Sequence, residues 1–318
     1  MFAELDLKVA LKYDDLILTN YADVKTFIDN NQDLFSSIRF DSYPEYQHLY
    51  GYTKQNYPIK VLQVEGKVRK IIIKTKDFSN KRLKLILSYD GSAYYGFQVQ
   101  KAQKTIQGTI SALVSQVLNK SILVQGASRT DKQVHALEQV MHFDDTSDLS
   151  EIDWLNFLNH QLSDDILIKE VTRVHPLFHS RYDVIQKEYY YQIKLGDKNP
   201  LLSNYAWHIE YLDFMRLDDQ LKKIVGEHDF TSFSKSDKSD STRTIYSAKY
   251  KMEGDLLKIH ITANGFLRYM IRLLIAHIIN YATKKTDKDI LEIINEKSRE
   301  HTKDLAPASG LYLKKINY

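Results

Sequence analysis

The sequence predicts an α+β protein preceded by a separate N-terminal unit, and three observations carry that reading. Segments of period-two apolar alternation are interleaved with segments of helical spacing. They follow one another in uneven order, unlike the regular strand–helix repeat of a doubly wound parallel sheet. The charge also reverses early in the chain: residues 1–46 hold nine acids and four bases, residues 47–80 seven bases and two acids.

In chain order, residues 21–37 show a weak helical pattern through Val24, Phe27, Ile28 and Leu34. IKVLQV (59–64) and KVRKIIIK (67–74) flank Glu65-Gly66, which reads as a two-residue hairpin turn. The polar stretch KTKDFSNKR (74–82) marks a boundary and sets residues 1–80 apart as an extension. RLKLILSYD (82–90) puts Leu83, Leu85 and Leu87 on one face of a strand. Thr105 opens a helix that keeps apolar spacing from Ile106 through Leu118 to Lys120. SILVQG (121–126) reads as a short buried strand, ASRTDKQ as a loop and EQVMHF (138–143) as a strand. A helix over 151–162 precedes strands at 166–174 and 187–194. A helix near 213–224 precedes strands at 242–251 and 256–263. An apolar helix from about Phe266 to Ala282 and a closing strand, LYLKKINY, complete the chain.

With 318 residues, the chain is long enough to bury a core without staples. It has no cysteine, so disulfides, thiolate zinc sites and a cysteine nucleophile are excluded. No uncharged run of 18 apolar residues occurs, and the N-terminus carries acids where a signal peptide needs bases. A soluble, cytoplasmic protein with no membrane association is therefore expected. The net charge of +3 is too small to imply nucleic acid by itself. The 22 tyrosines suit stacking on bases, and they suit ordinary cores equally.

Ser128-Arg129-Thr130-Asp131 lies in the loop between two predicted strands. A carboxylate beside an arginine and hydroxyls, held by rigid strands, is a plausible reactive site. An arginine there suits displacement of a flipped base. Spacing alone is met as well by an aspartate capping a turn, with Arg129 and Lys132 as solvated charges.

SRTDKQVHALEQVMHF resembles the active-site segment of the TruA-type tRNA pseudouridine synthases. Further blocks follow the family's order. They are SYDGSAYYGFQVQ (88–100) with KTIQGTI, FHSRYDVIQKEYYYQI (178–193), GEHDFTSF (226–233) with RTI, NGFLRYMIR (264–272) and APASGLYL (306–313). The resemblance covers residues 82–318 and is silent about residues 1–80. It implies a pseudouridine synthase fold, with two related halves of mixed or antiparallel sheet flanked by helices around a central cleft. The halves are expected at 81–184, with the catalytic loop, and 185–318.

The resemblance also implies isomerisation of uridine in the anticodon stem-loop, tRNA as partner, a homodimer, and no metal or cofactor. Position by position, it makes Asp131 the catalytic aspartate and Arg272 its cationic partner. Tyr189 becomes the tyrosine stacked on the target uracil, and Arg129 the arginine that turns the base out. Gln98, Gln100, Phe97 and Arg181 are candidates for RNA contact, with a structural hydrogen bond or a packing role as the alternative for each. Burial would raise the pKa of Asp131, so a paired cation is required. An arginine on an otherwise apolar helix either finds a carboxylate or snorkels to water.

The chain departs from the family's Gly-Arg-Thr-Asp-Ala-Gly-Val-His at Ser128, Lys132 and Gln133. If Gln133 holds φ > 0, the cost is roughly 1 kcal/mol relative to glycine. Lys132 is placed to lower the pKa of Asp131 or to touch RNA. The alternative reading is a tRNA-binding or folding factor of the same fold, with weak or no catalysis. A glycosidase would want a second facing carboxylate, and only Glu138 is near in sequence. Residues 1–80 either extend RNA contact through Lys54, Lys60, Lys67, Arg69 and Lys70, cover the cleft, or brace the fold.

Overall fold

The computed structural model describes residues 16–18, 39–41, 48–53, 56–64, 67–74, 81–235 and 240–318. Strands β1 (Leu16–Leu18), β2 (Arg39–Asp41), β3 (Leu49–Tyr52), β4 (Pro58–Val64) and β5 (Lys67–Ile73) come first. They form an antiparallel sheet in the order β1-β5-β4-β3-β2. The β4–β5 ladder reaches Val64↔Lys67, as the predicted hairpin requires. Glu65 and Gly66 themselves, the helical pattern over 21–37 and residues 75–80 of the boundary stretch lie outside the described residues.

This sheet buries Ile59, Val61, Ile71 and Ile73. Its other side is tied to the rest of the chain through polar groups. Lys60, one of the bases named for RNA contact should residues 1–80 extend it rather than brace the fold, is 3% exposed. Its Nζ donates to Asp183 Oδ1 and to the Leu177 carbonyl, each at 2.7 Å. Tyr50 donates its hydroxyl to Asp183 Oδ2 at 2.7 Å, and His175 Nε2 lies 2.9 Å from the Gly51 carbonyl. An ammonium so deep in the fold is held there by its carboxylate and cannot serve RNA. Lys54 and the side chains of Lys67, Arg69 and Lys70 lie outside the described residues.

The remaining elements begin with β6 (Arg82–Tyr89), α1 (Ile106–Leu118), β7 (Gln125–Gly126), β8 (His135–Asp144), α2 (Glu151–Gln161) and β9 (Ile166–Val174). They continue with β10 (Gln186–Leu195), β11 (Trp207–Ile209), α3 (Phe214–Lys223), β12 (Gly226–Asp229), β13 (Thr242–Glu253) and β14 (Leu256–Ala263). Last come α4 (Met270–Ala282), α5 (Ile290–Glu296) and β15 (Leu311–Asn317). One large sheet runs β12-β13-β14-β10-β15-β8-β6-β9, with β11 beside β10 and β7 beside β8. Its ladders are antiparallel except β10–β11 and the central β15–β8 pair, which is parallel through Tyr312↔His135 and Leu313↔Ala136. That seam makes one continuous mixed sheet of strands from both ends of the chain, and the architecture is the α+β class expected.

Leu83, Leu85 and Leu87 share a buried cluster with Ile106, Ile110 and Val114 of α1. Thr105 caps α1 by accepting from the Gly108 N–H at 3.2 Å, and Ser150 with Asp153 forms a capping box on α2. Trp154 of α2 meets Phe143 of β8 edge-on at 5.0 Å. Among the described residues no helix is long and apolar enough to cross a membrane.

Two elements differ from expectation. Of SILVQG, only Gln125–Gly126 is strand. The Ile122 N–H donates to Ser115 Oγ at 2.9 Å and the Val124 N–H to Ser111 Oγ at 3.2 Å, so two serines of α1 take the place of a ladder. The apolar helix starts at Met270 rather than Phe266, because Tyr269 adopts a left-handed conformation with φ 63. Arg272 therefore stands in the first turn of α4, where the chain enters the helix.

Candidate active site

The loop from Ala127 to Val134 leaves β7 and enters β8, and the YDGSAYYGF segment shapes it. Gly96 has φ +90, and a Cβ there would lie 2.8 Å from the Thr130 carbonyl. Only glycine lets the two backbones approach so closely. The Phe97 N–H donates to that carbonyl at 3.0 Å. Gln133 sits at φ 66, the left-handed region where glycine is unstrained. Gln133→Gly is expected to stabilise the protein by about 1 kcal/mol in urea unfolding, whereas Gln133→Ala, which keeps a Cβ, gains nothing.

This loop delivers Asp131 to Arg272, 141 residues away in sequence. Arg272 Nη1 donates to Asp131 Oδ2 at 3.2 Å, and Arg272 Nε donates to the Ala306 carbonyl at 2.8 Å. The APASG segment thus orients the guanidinium, whose side chain is 12% exposed against 27% for Asp131. Burial raises the Asp131 pKa above the usual carboxylate value, and the charges of Arg272, Arg268 and Lys235 oppose that rise. Lys132, read as lowering it or touching RNA, places its Nζ over the Tyr95 ring, 4.1 Å from the centroid.

Tyr189 of β10 is 5% exposed, with its ring edge-on to Phe266 at 5.3 Å. Its hydroxyl lies 2.9 Å from Ser128 Oγ, and burial keeps it protonated far above the ordinary phenol range. Tyr191, on the same strand face, is core and donates to the Pro307 carbonyl at 2.8 Å. Tyr190 points to the other face and stacks on Tyr312 at 4.6 Å.

Arg129, Gln98, Gln100 and Arg181 are all exposed. Gln100 donates to the Tyr95 carbonyl at 2.8 Å, and the Arg181 guanidinium lies 5.7 Å from the Tyr182 ring centre. Phe97, a candidate for RNA contact or for packing, is 2% exposed and so packs. A Cβ on Gly126 would lie 2.0 Å from its ring, so Phe97 is wedged beneath that glycine as core.

Three residues that meet this loop, Tyr89, Gln139 and Lys187, were missed in the sequence. Tyr89 and Thr130 share a hydroxyl contact of 2.8 Å, and Gln139 donates to the Ser128 carbonyl at 2.7 Å. Lys187 donates to the Ala127 carbonyl at 2.9 Å and to Ser128 Oγ at 3.2 Å. The alternation of KEYYY, which puts Lys187 and Tyr189 on one face, was the available signal for Lys187. Among the described residues no group of three or more His, Asp or Glu has metal-holding geometry.

Comparison with known proteins identifies the family. A family model described as tRNA pseudouridine synthase matches residues 85–183 and 221–318. A tRNA pseudouridine synthase A of a Geobacillus species is 40% identical over 245 residues, spanning 75% of this chain and 99% of the relative. Its namesake in Brevibacillus brevis is 39% identical over 246 residues, spanning 75% and 100%. The one in Anoxybacillus flavithermus is 34% identical over 244 residues, spanning 75% and 99%. With relatives matched end to end and the loop, tyrosine strand and arginine helix converging on Asp131, the chain belongs to the tRNA pseudouridine synthase family.

Proposed function

We propose that this protein isomerises uridine to pseudouridine in the anticodon stem-loop of tRNA, with Asp131 as the catalytic carboxylate. The observation that carries the reading is the partly buried Asp131–Arg272 pair at the base of the loop. The reaction breaks the N1–C1′ bond, turns the uracil and joins C5 to C1′. C5 gives up a proton and N1 gains one, so no outside group is needed. Arg272 holds Asp131 Oδ2, while Oδ1 accepts no hydrogen bond among the described residues. That oxygen is left to meet the ribose, either at C1′ as a nucleophile or at the C2′ proton as a base.

Both roles need the ionised carboxylate. Burial works against it and Arg272 is the largest opposing influence. Removing that cation lets the Asp131 pKa climb further. Arg272→Met should therefore move the acid limb of single-turnover activity to higher pH, with a greater loss at pH 6 than at pH 8. An acid limb that stays in place would count against the pairing.

In this reading Tyr189 packs against the target uracil, and Arg129 fills the place the base vacates. Arg181, Gln98 and Gln100 contact the RNA strand. The family resemblance further supports a homodimer acting in the cytoplasm without a cofactor. Although it carries Lys132 and Gln133, the loop still brings Asp131 to Arg272, which favours catalysis over binding alone. The test is incubation with unmodified tRNA transcripts, followed by mass-spectrometric mapping of pseudouridine. Product in the anticodon arm is expected; product elsewhere, or none from protein that binds tRNA, would refute it.

A further inference from the structure

Interior bases in this fold generally have acids beside them. Lys60 meets Asp183, Arg82 meets Asp144, Lys194 meets Asp255 and Arg272 meets Asp131. Lys187 does not. Its ammonium donates to two uncharged oxygens, Ala127 O and Ser128 Oγ, and no carboxylate of the described residues lies within 4.0 Å. The charge that does act on it is another cation, Arg181. Burial and that neighbour together push its pKa down to about 8. Arg129, next to Ser128 in the chain, is exposed and likewise forms no ion pair among the described residues.

Lys187 thus meets the 127–128 segment beside Arg129, Arg181 acts on it as a like charge, and none of the three forms an ion pair among the described residues. The place is the wall of the Asp131 loop. Ser128 Oγ touches both the Lys187 ammonium and the Tyr189 hydroxyl, so the charge sits one hydroxyl away from the ring assigned to the uracil. Two neutral acceptors aim an ammonium without neutralising it, whereas a carboxylate in their place would repel a phosphate. The missing counter-charge matches an RNA backbone, which carries one negative charge per nucleotide.

We propose that Lys187, oriented by Ala127 O and Ser128 Oγ, binds a phosphodiester of the RNA strand that enters the Asp131 cleft. This inference rests on the RNA-modifying function proposed above, and it adds a contact that the sequence alone did not suggest.

The experiment measures affinity for an unmodified anticodon stem-loop RNA across a range of salt concentrations, together with single-turnover pseudouridine formation. Lys187→Met is expected to weaken binding about tenfold at low salt and to lower the slope of log Kd against log salt by about one unit. Lys187→Arg should restore the slope. A lysine that only supports the loop would alter rate or affinity and leave the slope unchanged, and that result would overturn the proposal. Should the methionine variant fail to fold, Lys187→Gln keeps a donor for Ala127 O without the charge and reads the same slope. Wild-type protein that neither binds nor converts RNA would refute the functional reading itself. Normal conversion with an unchanged slope in the variants would refute only the phosphate contact.

Discussion

Asp131→Asn is expected to lower single-turnover pseudouridine formation by roughly 10³-fold or more while leaving tRNA affinity within a few-fold of wild type. The asparagine keeps the size of the side chain and an oxygen for Arg272, but it can neither attack C1′ as an anion nor take a proton from C2′. Affinity should survive for an electrostatic reason. Asp131 lies among the charges of Arg272, Arg268 and Lys235. Neutralising it leaves those cations with less internal compensation, which makes the cleft more attractive to phosphate. Rate and affinity should therefore separate, and parallel loss of both would indicate a folding defect instead. Quench-flow or manual single-turnover assays beside filter binding would distinguish the two.

The second large effect concerns stability. Lys60→Met should destabilise the protein by about 3–5 kcal/mol, because it leaves the Asp183 carboxylate buried with its cation gone. Asp183 is 0% exposed, and among the described residues Tyr50 and the His179 N–H remain as donors to its carboxylate once Lys60 is removed. For a chain of this size the melting temperature should fall by roughly 10 °C. The double variant Lys60→Met with Asp183→Asn should recover much of the loss, since no buried charge is then left alone. Because Lys60 is remote in role from Asp131, the folded fraction should isomerise bound RNA at the wild-type rate. A single variant as stable as wild type would show that the N-terminal sheet does not brace the 175–183 segment through this pair.

That brace also marks where sequence reading reached its limit. Local periodicity was enough for β9 and β14, whose bounds match the apolar alternation, and for α1, where Thr105 caps the helix as its side chain predicts. It failed where tertiary contacts decide the outcome. The apolar residues of SILVQG read as strand, yet Ser111 and Ser115 satisfy their backbone. Phe266 and Leu267 continue a helical pattern, yet Tyr269 turns left-handed and delays the helix by a turn. Lys60 looks like a surface base until its distant partner Asp183 is known, and the choice for Phe97 between RNA contact and packing is made only when its ring is seen beneath Gly126.

The site was legible to the same extent. Motif order picked out Asp131, Arg272 and Tyr189, and the structure brings all three to one place. The Ser128 hydroxyl and the Lys187 ammonium were not legible as a pair, because residues 59 apart in sequence meet only once β10 lies against the loop. The departure at Gln133 was visible as a letter, and its cost became physical only with a φ of 66.

The most direct test of the account is pseudouridine content, mapped by mass spectrometry, in unmodified tRNA transcripts treated in parallel with wild-type protein and with Asp131→Asn. The account predicts pseudouridine in the anticodon arm with the wild type and none above background with the variant, although both bind the RNA. Equal product from the two proteins, or none from a wild type that binds tRNA, would contradict it.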